Sequence, residues 1–379
     1  MPPIKVLYML HDSRRSGVPA VTAALIMSLD RSAVEPIVYF AYDGVYAHDL
    51  RQQGVEVKAF SGRYPFVWRL NRFLMNIHLL WLVRRVDIVH VNSVKLAFSA
   101  VVARLLGARV VFHLHEKVGR FGRLLLRAMA MADCTVFCAA NCADHYLPVT
   151  SQRKRTILNA ISIPETALVS HGVIRAKIVM LGSINRNKGQ DLLLQAFALL
   201  DRHDAELWFY GTVGLSAHGF VKDLKKFVRD NALANRVFFP GPTHDAAAVF
   251  REATLLVHSS LNECLSISIL EAMAHGVPVI ANDIAGMGEI ITSGVDGMLV
   301  EAGDVKALAA AIAILLDDRA LREKLGRAGR ETVVNRFDMV LRAQEFFYLY
   351  RELVRRSDRS TRIMVKTPED LECSRSVKG

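Results

Sequence analysis

Two glutamates flank the start of a short apolar helix in the stretch NECLSISILEAMAHGVPVIAND, residues 262–283. The preceding run, Leu255–His258, is typical of a buried strand. Ser266 is a good N-cap residue, and the glycine and proline at positions 276 and 278 predict where the helix ends. Glu263 is therefore expected in the loop before the helix, and Glu271 little more than one turn into it.

The same alternation of strand and helix runs through the whole chain. Apolar, β-branched runs separated by helical stretches predict parallel sheets that are covered on both faces. Strands are predicted at residues 4–10, 36–42, 55–60, 87–92, 110–115, 135–139, 156–158, 177–181, 206–210, 236–239, 255–258 and 279–281. Helices are predicted at residues 19–29, 69–84, 94–106, 122–131, 190–200, 221–231, 246–252, 266–275, 304–316, 319–332 and 339–355. The fold class is therefore α/β, with two doubly wound units in series.

Four segments follow from this pattern. Residues 1–170 form the first Rossmann-like unit and residues 171–335 the second, because the alternation lapses at residues 164–175. Residues 336–356 form a C-terminal helix that we expect to pack back on the first unit. Residues 357–379 lose the apolar rhythm, and we expect a flexible tail there.

The charge balance indicates anionic partners. The 379 residues carry a formal net charge of +11, which suits nucleic acid, an anionic membrane face or phosphorylated substrates. No RNA-binding motif, helix-turn-helix or zinc finger is present, so we do not expect nucleic acid. No apolar run reaches the length of a membrane span and no signal peptide begins the sequence, so we expect a cytoplasmic protein.

The glutamate pair suggests the kind of ligand. Free amides at residues 265–268 would form an anion-binding helix N-terminus where a phosphate can rest. Carboxylates repel phosphate but accept hydrogen bonds from diols, so Glu263 and Glu271 would hold uncharged groups on either side of it. A ligand with a sugar, a diphosphate and a ribose in series satisfies both, and that ligand is a sugar nucleotide.

The motif around these glutamates resembles the signature of a known family. Glu263, seven residues, Glu271 and then Ala-Met-Ala-x-Gly-Val-Pro-Val is similar to the signature of the group 1 retaining glycosyltransferases, or family 4. DIAGMGEIITSGVDGMLVEAGD, residues 283–304, and GSINRNKGQDLLLQAF, residues 182–197, extend the resemblance through the second half, whereas the first half matches loosely. The resemblance implies a GT-B fold, in which two Rossmann-like domains face a central cleft, with the acceptor on the N-terminal side and the nucleotide sugar on the C-terminal side.

The resemblance also implies roles for matching residues. Glu263 would hold hydroxyls of the donor sugar near the reacting carbon, and Glu271 would hold the ribose diol. The backbone amides of Leu265, Ser266 and Ile267 would contact the diphosphate. The family commonly has Gly-Phe-Gly after the first glutamate, where this chain has Cys-Leu-Ser, and the bulkier loop leaves the choice of sugar open.

Two cations follow the strand at residues 177–181. Gly182 lets the chain turn close to a ligand, and Arg186 and Lys188 are expected to point into the same cleft mouth. There they would stabilise the charge that builds on a departing nucleoside diphosphate. The family often has an arginine directly after the glycine, where this chain has Ser183, so Lys188 is the stronger candidate. A solvated basic loop is the alternative.

A histidine lies at the carboxyl end of the strand predicted at residues 110–115. His115 matches the family histidine at the cleft floor, near the reacting centre, and Glu116 is expected to orient it. We expect His113 to point away from His115, toward the core or a helix. A structural role for a single histidine after a strand is the alternative.

Two further glycines and one asparagine match the family less specifically. Gly17 follows the first strand and suits a turn into a helix, although the family usually has two glycines there. Gly211 resembles the donor-side loop, with a structural turn as an equal alternative. Asn159 is expected to be structural.

We expect neither a metal nor a cofactor. The chain has five cysteines and no Cys-x-x-Cys pair, which favours buried thiols in a reducing cytoplasm over a zinc site. No Asp-x-Asp motif occurs, in agreement with cationic side chains rather than a metal at the diphosphate.

Two stretches mix arginine with large apolar residues, at positions 63–85 and 117–130. Such basic amphipathic surfaces can lie on an anionic bilayer, here the inner face of the cell membrane, and present a lipid-linked acceptor. Ordinary core helices with solvated arginines are the equal alternative.

The function that follows is a retaining transfer of a sugar from a nucleoside diphosphate to a hydroxyl of a glycan or lipid-linked glycan, in cell-surface polysaccharide or glycolipid synthesis. Two alternatives stay open at this point: a sugar-nucleotide epimerase of the same fold, and a non-catalytic sugar-nucleotide-binding partner.

Overall fold

The computed structural model describes residues 2–13, 16–59, 79, 81–115, 129–146, 153–166 and 175–364. The described residues form two parallel β-sheets with helices packed against them. The helices predicted at residues 69–84 and 122–131 lie largely outside the described residues, as does the predicted junction at 164–175.

The first sheet has seven strands in the order β3-β2-β1-β4-β5-β6-β7. The strands are β1 (Ile4–Leu10), β2 (Val34–Phe40), β3 (Glu56–Ala59), β4 (Ile88–Val91), β5 (Arg109–Leu114), β6 (Cys134–Phe137) and β7 (Lys154–Thr156). The described helices around it are α1 (Gly17–Ser28), α2 (Val45–Gln52), α3 (Ala97–Leu105) and α4 (Ala140–Tyr146). Every residue of β4 and β6 is buried, as expected for central strands covered on both faces.

The second sheet has six strands in the order β10-β9-β8-β11-β12-β13. The strands are β8 (Ala176–Leu181), β9 (Ala205–Tyr210), β10 (Val237–Gly241), β11 (Leu255–His258), β12 (Val279–Asp283) and β13 (Met298–Glu301). The helices are α5 (Gln190–Leu199), α6 (His218–Asp230), α7 (Ala246–Glu252), α8 (Ile267–Ala274), α9 (Val305–Asp317), α10 (Arg319–Arg336) and α11 (Met339–Met364).

The predicted strands are all present, and most of their bounds shift by one or two residues. Strand β13 and helices α2 and α4 were missed, because each is short and carries little periodicity. None of the helices in the described part of the chain is both long and apolar enough to cross a membrane.

Helix α11 returns from the second sheet to the first. Its Tyr350 hydroxyl lies 3.0 Å from the Tyr8 hydroxyl on β1 and 2.7 Å from His90 Nδ1 on β4. Phe346 packs in the same core as these strands. The helix continues to Met364, past residue 357, where the sequence predicted a tail to begin.

The two domains also meet near the carboxyl ends of their strands. Glu289, between β12 and β13, accepts hydrogen bonds from the backbone N–H groups of Ala140 (2.8 Å) and Asn141 (2.9 Å), where α4 begins. A carboxylate is stabilised there by the free amides of the helix start. This contact holds α4 of the first domain against the loop region of the second.

Candidate functional site

The start of helix α8 lies in the candidate site, after strand β11, as the glutamate motif predicted. Strand β11 ends at His258, Ser266 occupies the N-cap position and α8 begins at Ile267. The Ser266 side chain makes no capping hydrogen bond; its Oγ lies 3.1 Å from Ser268 Oγ instead. The first amides of the helix are therefore not capped by Ser266, and helix starts of this kind bind anions.

Lys188 and Glu263 form an ion pair between two loops of the second domain. Lys188 Nζ donates to Glu263 Oε2, and the side chains are 20% and 21% exposed. The pair forms because β8 and β11 are neighbours in the sheet, so the loops at their carboxyl ends meet. His258 Nε2 lies 3.7 Å from the same carboxylate oxygen. Burial lowers the pKa of His258 to about 4, so this ring is neutral at pH 7.

The backbone holds these two loops together. Gly189 has φ 69°, and a Cβ on it would overlap the carbonyl oxygen of Ser259. Ser259 Oγ donates to the Gly189 carbonyl over 2.8 Å, and Asn282 Nδ2 donates to the Ser259 carbonyl over 2.8 Å. The close approach that only glycine permits thus positions Lys188 beside the β11 loop.

Arg186 and Lys188 do not converge as expected. Arg186 is 70% exposed and pairs with Asp223 on α6, 2.9 Å away. The two cations diverge because Arg186–Lys188 is a 3-10 turn, whose successive side chains point in different directions. Of the two, Lys188 is the one that reaches Glu263.

Glu271 lies half-buried on α8, one turn beyond its first residue. Burial raises the pKa of its carboxyl to about 7, and no charged partner or hydrogen bond from the described residues offsets that burial. The ionised form of a buried carboxyl without partners is stabilised by any ligand that donates hydrogen bonds to it. The vicinal hydroxyls of a ribose are donors of this kind.

The raised pKa of Glu271 predicts a pH-dependent donor affinity. A diol donates two hydrogen bonds to the ionised carboxylate, so we expect the Kd of a nucleotide sugar to fall about tenfold from pH 6 to pH 8. Isothermal titration calorimetry checks this, and a flat profile would contradict it. His115 and His258 stay neutral across this range, because burial lowers the pKa of each to about 4. The same pKa shift acts on folding in the opposite direction. Because burial raises the pKa of the Glu271 carboxyl from 4.5 to about 7 when the chain folds, the contribution of Glu271 to the free energy of unfolding declines as the pH rises from 4.5 to about 7.

Gly17 lies opposite the start of α8, although the two belong to different domains. A Cβ on Gly17 would lie 3.8 Å from Ile267 Cγ1, an ordinary van der Waals distance. Leu265 is buried, and Ile267 packs against the core of the first domain. The loop after β1 and the start of α8 therefore come together, as a site shared between two Rossmann-like units requires.

Gly211 supports the loop that carries Lys188. A Cβ on Gly211 would overlap the carbonyl oxygen of Gly182, whereas a Cβ on Gly182 would lie 3.8 Å from Lys188 Cε. Gly182 has φ 153° and donates its N–H to the Tyr210 carbonyl over 2.9 Å. Gly211 therefore packs directly against the turn that leads to Lys188, and its place in a donor-side loop stays a prediction.

This contact makes Gly211→Ala destabilising. We expect a loss of about 1–3 kcal/mol in the free energy of unfolding, because the overlap is with backbone and cannot be relieved by a side-chain rotation. Gly214→Ala is the matched control, since a Cβ there meets no atom within 4 Å. Urea denaturation of both variants checks the difference, and equal midpoints would show that the loop after β8 shifts freely.

His115 follows β5, where the sequence placed it. Its Nδ1 lies 3.1 Å from Asn159 Oδ1 and its Nε2 lies 3.3 Å from Asn92 Oδ1. Burial lowers the pKa of His115 to about 4. A neutral ring has one N–H, so it donates to the Oδ1 of one asparagine, and its other nitrogen accepts a hydrogen bond only if the second asparagine turns its amide N–H toward the ring. Asn92 was missed, and Asn159, expected to be structural, fixes the orientation of this ring.

The expected direction of His113 is half right. It is buried and packs against Phe346 of α11, with ring centroids 5.3 Å apart. It does not point away from His115, because their ring centroids are 3.9 Å apart. Residues two positions apart in a strand share a face, which explains the contact. Glu116, expected to orient His115, lies outside the described residues.

Comparison with known proteins identifies the family. A model described as Glycosyltransferase Family 4 matches residues 15–173, and one described as Glycosyl transferases group 1 matches residues 173–332. The chain belongs to the group 1, family 4 glycosyltransferases. The Lys188–Glu263 pair and Glu271 all lie in the group 1 half of this glycosyltransferase.

Relatives and solved structures agree with this assignment. The D-inositol 3-phosphate glycosyltransferase of Corynebacterium kroppenstedtii is 30% identical over 185 residues, 47% of this chain and 41% of that protein. The lipopolysaccharide core biosynthesis mannosyltransferase LpsB of Rhizobium meliloti is 30% identical over 178 residues, 46% of this chain and 51% of that protein. The chain thus spans about half the length of these curated relatives. The crystal structure of Anabaena HepE in complex with UDP and glucose has a TM-score of 0.81 at 20% identity and covers 90% of this chain and 98% of that one. The fold is GT-B.

Proposed function

We propose that this glycosyltransferase moves a sugar, with retention of anomeric configuration, from a nucleoside-diphosphate sugar to a hydroxyl of a glycan or lipid-linked glycan. The observation that carries the proposal is the Lys188–Glu263 pair beside the uncapped start of α8, with the solitary carboxylate of Glu271 further along the helix. This order of groups matches the order of sugar, diphosphate and ribose in a nucleotide sugar.

The chemistry assigned to each residue follows from its surroundings. The diphosphate would rest on the amides of α8 and near the ammonium of Lys188, which would stabilise the charge that develops as it leaves. Glu263, already bonded to Lys188, would accept hydrogen bonds from hydroxyls of the sugar and is not free to serve as a nucleophile. The acceptor oxygen would therefore attack the anomeric carbon from the side of the departing phosphate. As the bond to that phosphate breaks, its oxygen would take the acceptor proton.

We propose that transfer is metal-independent, because Lys188 and the free amides at the start of α8 would carry the charge that a divalent metal otherwise neutralises. The relatives favour an acceptor in cell-surface polysaccharide or glycolipid synthesis, since LpsB is a mannosyltransferase of lipopolysaccharide core biosynthesis. The complex of HepE with UDP makes uridine donors the first to test.

A panel of UDP, GDP and ADP sugars tests the donor. We expect one class to raise the melting temperature, because a ligand at about 100 times its Kd adds about 2.7 kcal/mol to the free energy of unfolding. Release of the matching nucleoside diphosphate should then depend on a glycan acceptor and persist in excess EDTA. A new sugar nucleotide formed without acceptor would indicate an epimerase. A melting shift without release in any cell extract would indicate a non-catalytic binding partner.

We propose that the protein contacts an anionic membrane, where a lipid-linked acceptor would lie. Most of the two basic amphipathic stretches lies outside the described residues, but Trp81 is 52% exposed and the Arg85 guanidinium lies 3.9 Å from its ring centroid. Such a pair suits the boundary between headgroups and acyl chains. Flotation with phosphatidylglycerol vesicles at low salt should recover the protein, and equal recovery with phosphatidylcholine vesicles would reject the electrostatic contact. Recovery should fall as salt is added.

A further inference from the structure

Three cysteines from both domains meet beside the proposed donor site. Cys138 follows β6 and Cys142 lies on α4, whereas Cys264 directly follows Glu263 in the second domain. All three are buried, and their Sγ atoms lie within 4.8 Å of one another. The proposed sugar transfer uses none of these thiols.

We propose that Cys138, Cys142 and Cys264 form a site for a soft, three-coordinate cation of the Cu(I) class, shared between the two domains. Thiolate sulfur is the ligand type that such cations prefer. A trigonal centre with metal–sulfur bonds of about 2.3 Å holds its sulfurs about 4 Å apart, which small side-chain rotations can reach from the observed spacing. Zinc fits less well, because it takes four ligands and no fourth histidine, cysteine or carboxylate joins the group among the described residues.

Neighbouring contacts hold the backbone of Cys264 against α4. Asn141 Nδ2 donates to the carbonyl of Cys264 over 3.1 Å and to Glu289 Oε1 over 2.7 Å. A Cβ on Gly286 would overlap the same Cys264 carbonyl and lie 2.7 Å from Asn141 Nδ2, so this loop of the second domain is seated closely on α4. The convergence of thiols is therefore built into the contact between domains and does not depend on three flexible side chains.

The thiol of Cys138 favours its protonated form. Side-chain hydrogen bonds with Cys142 and Cys264, together with burial, raise the pKa of Cys138 well above its usual value. Binding of a cation would form metal–sulfur bonds and break S–H bonds, and the protons would pass to the buffer. The site would therefore bind more tightly as pH rises, and binding would tie the loop that carries Glu263 to the first domain.

A competition titration with Cu(I) tests the site. The starting protein carries Cys373→Ser, which removes the fifth cysteine, outside the described residues. Under anaerobic conditions with the chromogenic chelator bicinchoninate, we expect one equivalent of Cu(I) to be withdrawn, with release of protons. X-ray absorption of the loaded protein should show three sulfur neighbours at one distance. Failure to compete for Cu(I), or a copper with two sulfur neighbours, would overturn the proposal.

Single variants locate the binding. Cys264→Ser and Cys142→Ser should each lower the Cu(I) affinity by at least about 10–100-fold. Cys134→Ser is the matched control, because Cys134 is equally buried but is not a member of the group. Unchanged affinity in Cys264→Ser would show that the cation sits elsewhere. If a variant fails to fold, the number of sulfur neighbours around Cu(I) in the protein that retains all three thiols still tests the proposal. None of these measurements requires the donor to bind, so they are independent of the proposed function.

Discussion

Replacing Lys188 with alanine is expected to lower kcat about 100- to 1,000-fold, the usual effect of removing one group that stabilises transition-state charge. The charge on the leaving diphosphate is larger in the transition state than in the bound donor, so the Kd of the donor should change less. Glu263 would also lose the partner that orients it. Initial rates of nucleoside diphosphate release at saturating donor and acceptor measure the effect.

Two further variants make this result specific. Lys226→Ala removes a lysine that is 69% exposed and paired with Asp230, so kcat should stay within about twofold. Arg186→Ala removes the cation that faces Asp223. A loss in Arg186→Ala equal to that in Lys188→Ala would show that Arg186 turns to the diphosphate during the reaction. Near-normal kcat in Lys188→Ala would refute the role of Lys188.

Replacing Glu271 with glutamine is expected to weaken donor binding by about 10–100-fold, because hydrogen bonds to a charged group contribute about 1.5–3 kcal/mol. The change keeps the shape of the side chain and removes the charge that two ribose hydroxyls would share. The variant should also lose the dependence of donor Kd on pH between pH 6 and pH 8. Calorimetric titration with the donor identified in the sugar-nucleotide panel measures both the loss of affinity and the pH dependence of the donor Kd.

A donor that lacks both the 2′- and the 3′-hydroxyl completes the test. If Glu271 binds the ribose diol, the deoxy donor should bind the unmodified protein and the Glu271→Gln variant with nearly equal affinity, because the interaction is absent from both. Glu323→Gln is the control for the substitution itself, since Glu323 pairs with Arg319 on the exposed face of α10. A loss of the same size for both donors would place Glu271 away from the ribose.

Much of the site could be predicted from local patterns. The start of α8 and the places of Glu263 and Glu271 on either side of it follow from a buried strand, an N-cap serine and a Gly-x-Pro ending, which are all properties of neighbouring residues. The parallel sheets could be predicted from runs of β-branched residues, which are also a local property of the sequence. The failures, such as β13 and α2, occur where an element is too short to show a period.

Other features could not be predicted because they depend on which loops become neighbours. Lys188 reaches Glu263 only because β8 and β11 are adjacent in the sheet, and chain order does not reveal that adjacency. Nor does the sequence show that Arg186 turns to α6. The asparagines beside His115 come from segments 23 and 44 residues away in the chain.

By itself, the sequence determined the α/β class, the two-unit order and the candidate donor-binding groups, since periodicity, capping and turn chemistry act over a few residues. The tertiary structure alone decided which cation meets the carboxylate, how His113 and His115 lie against each other, and that three distant cysteines converge between the domains. Those outcomes are set by strand order and domain contact, which bring together residues with no local relation.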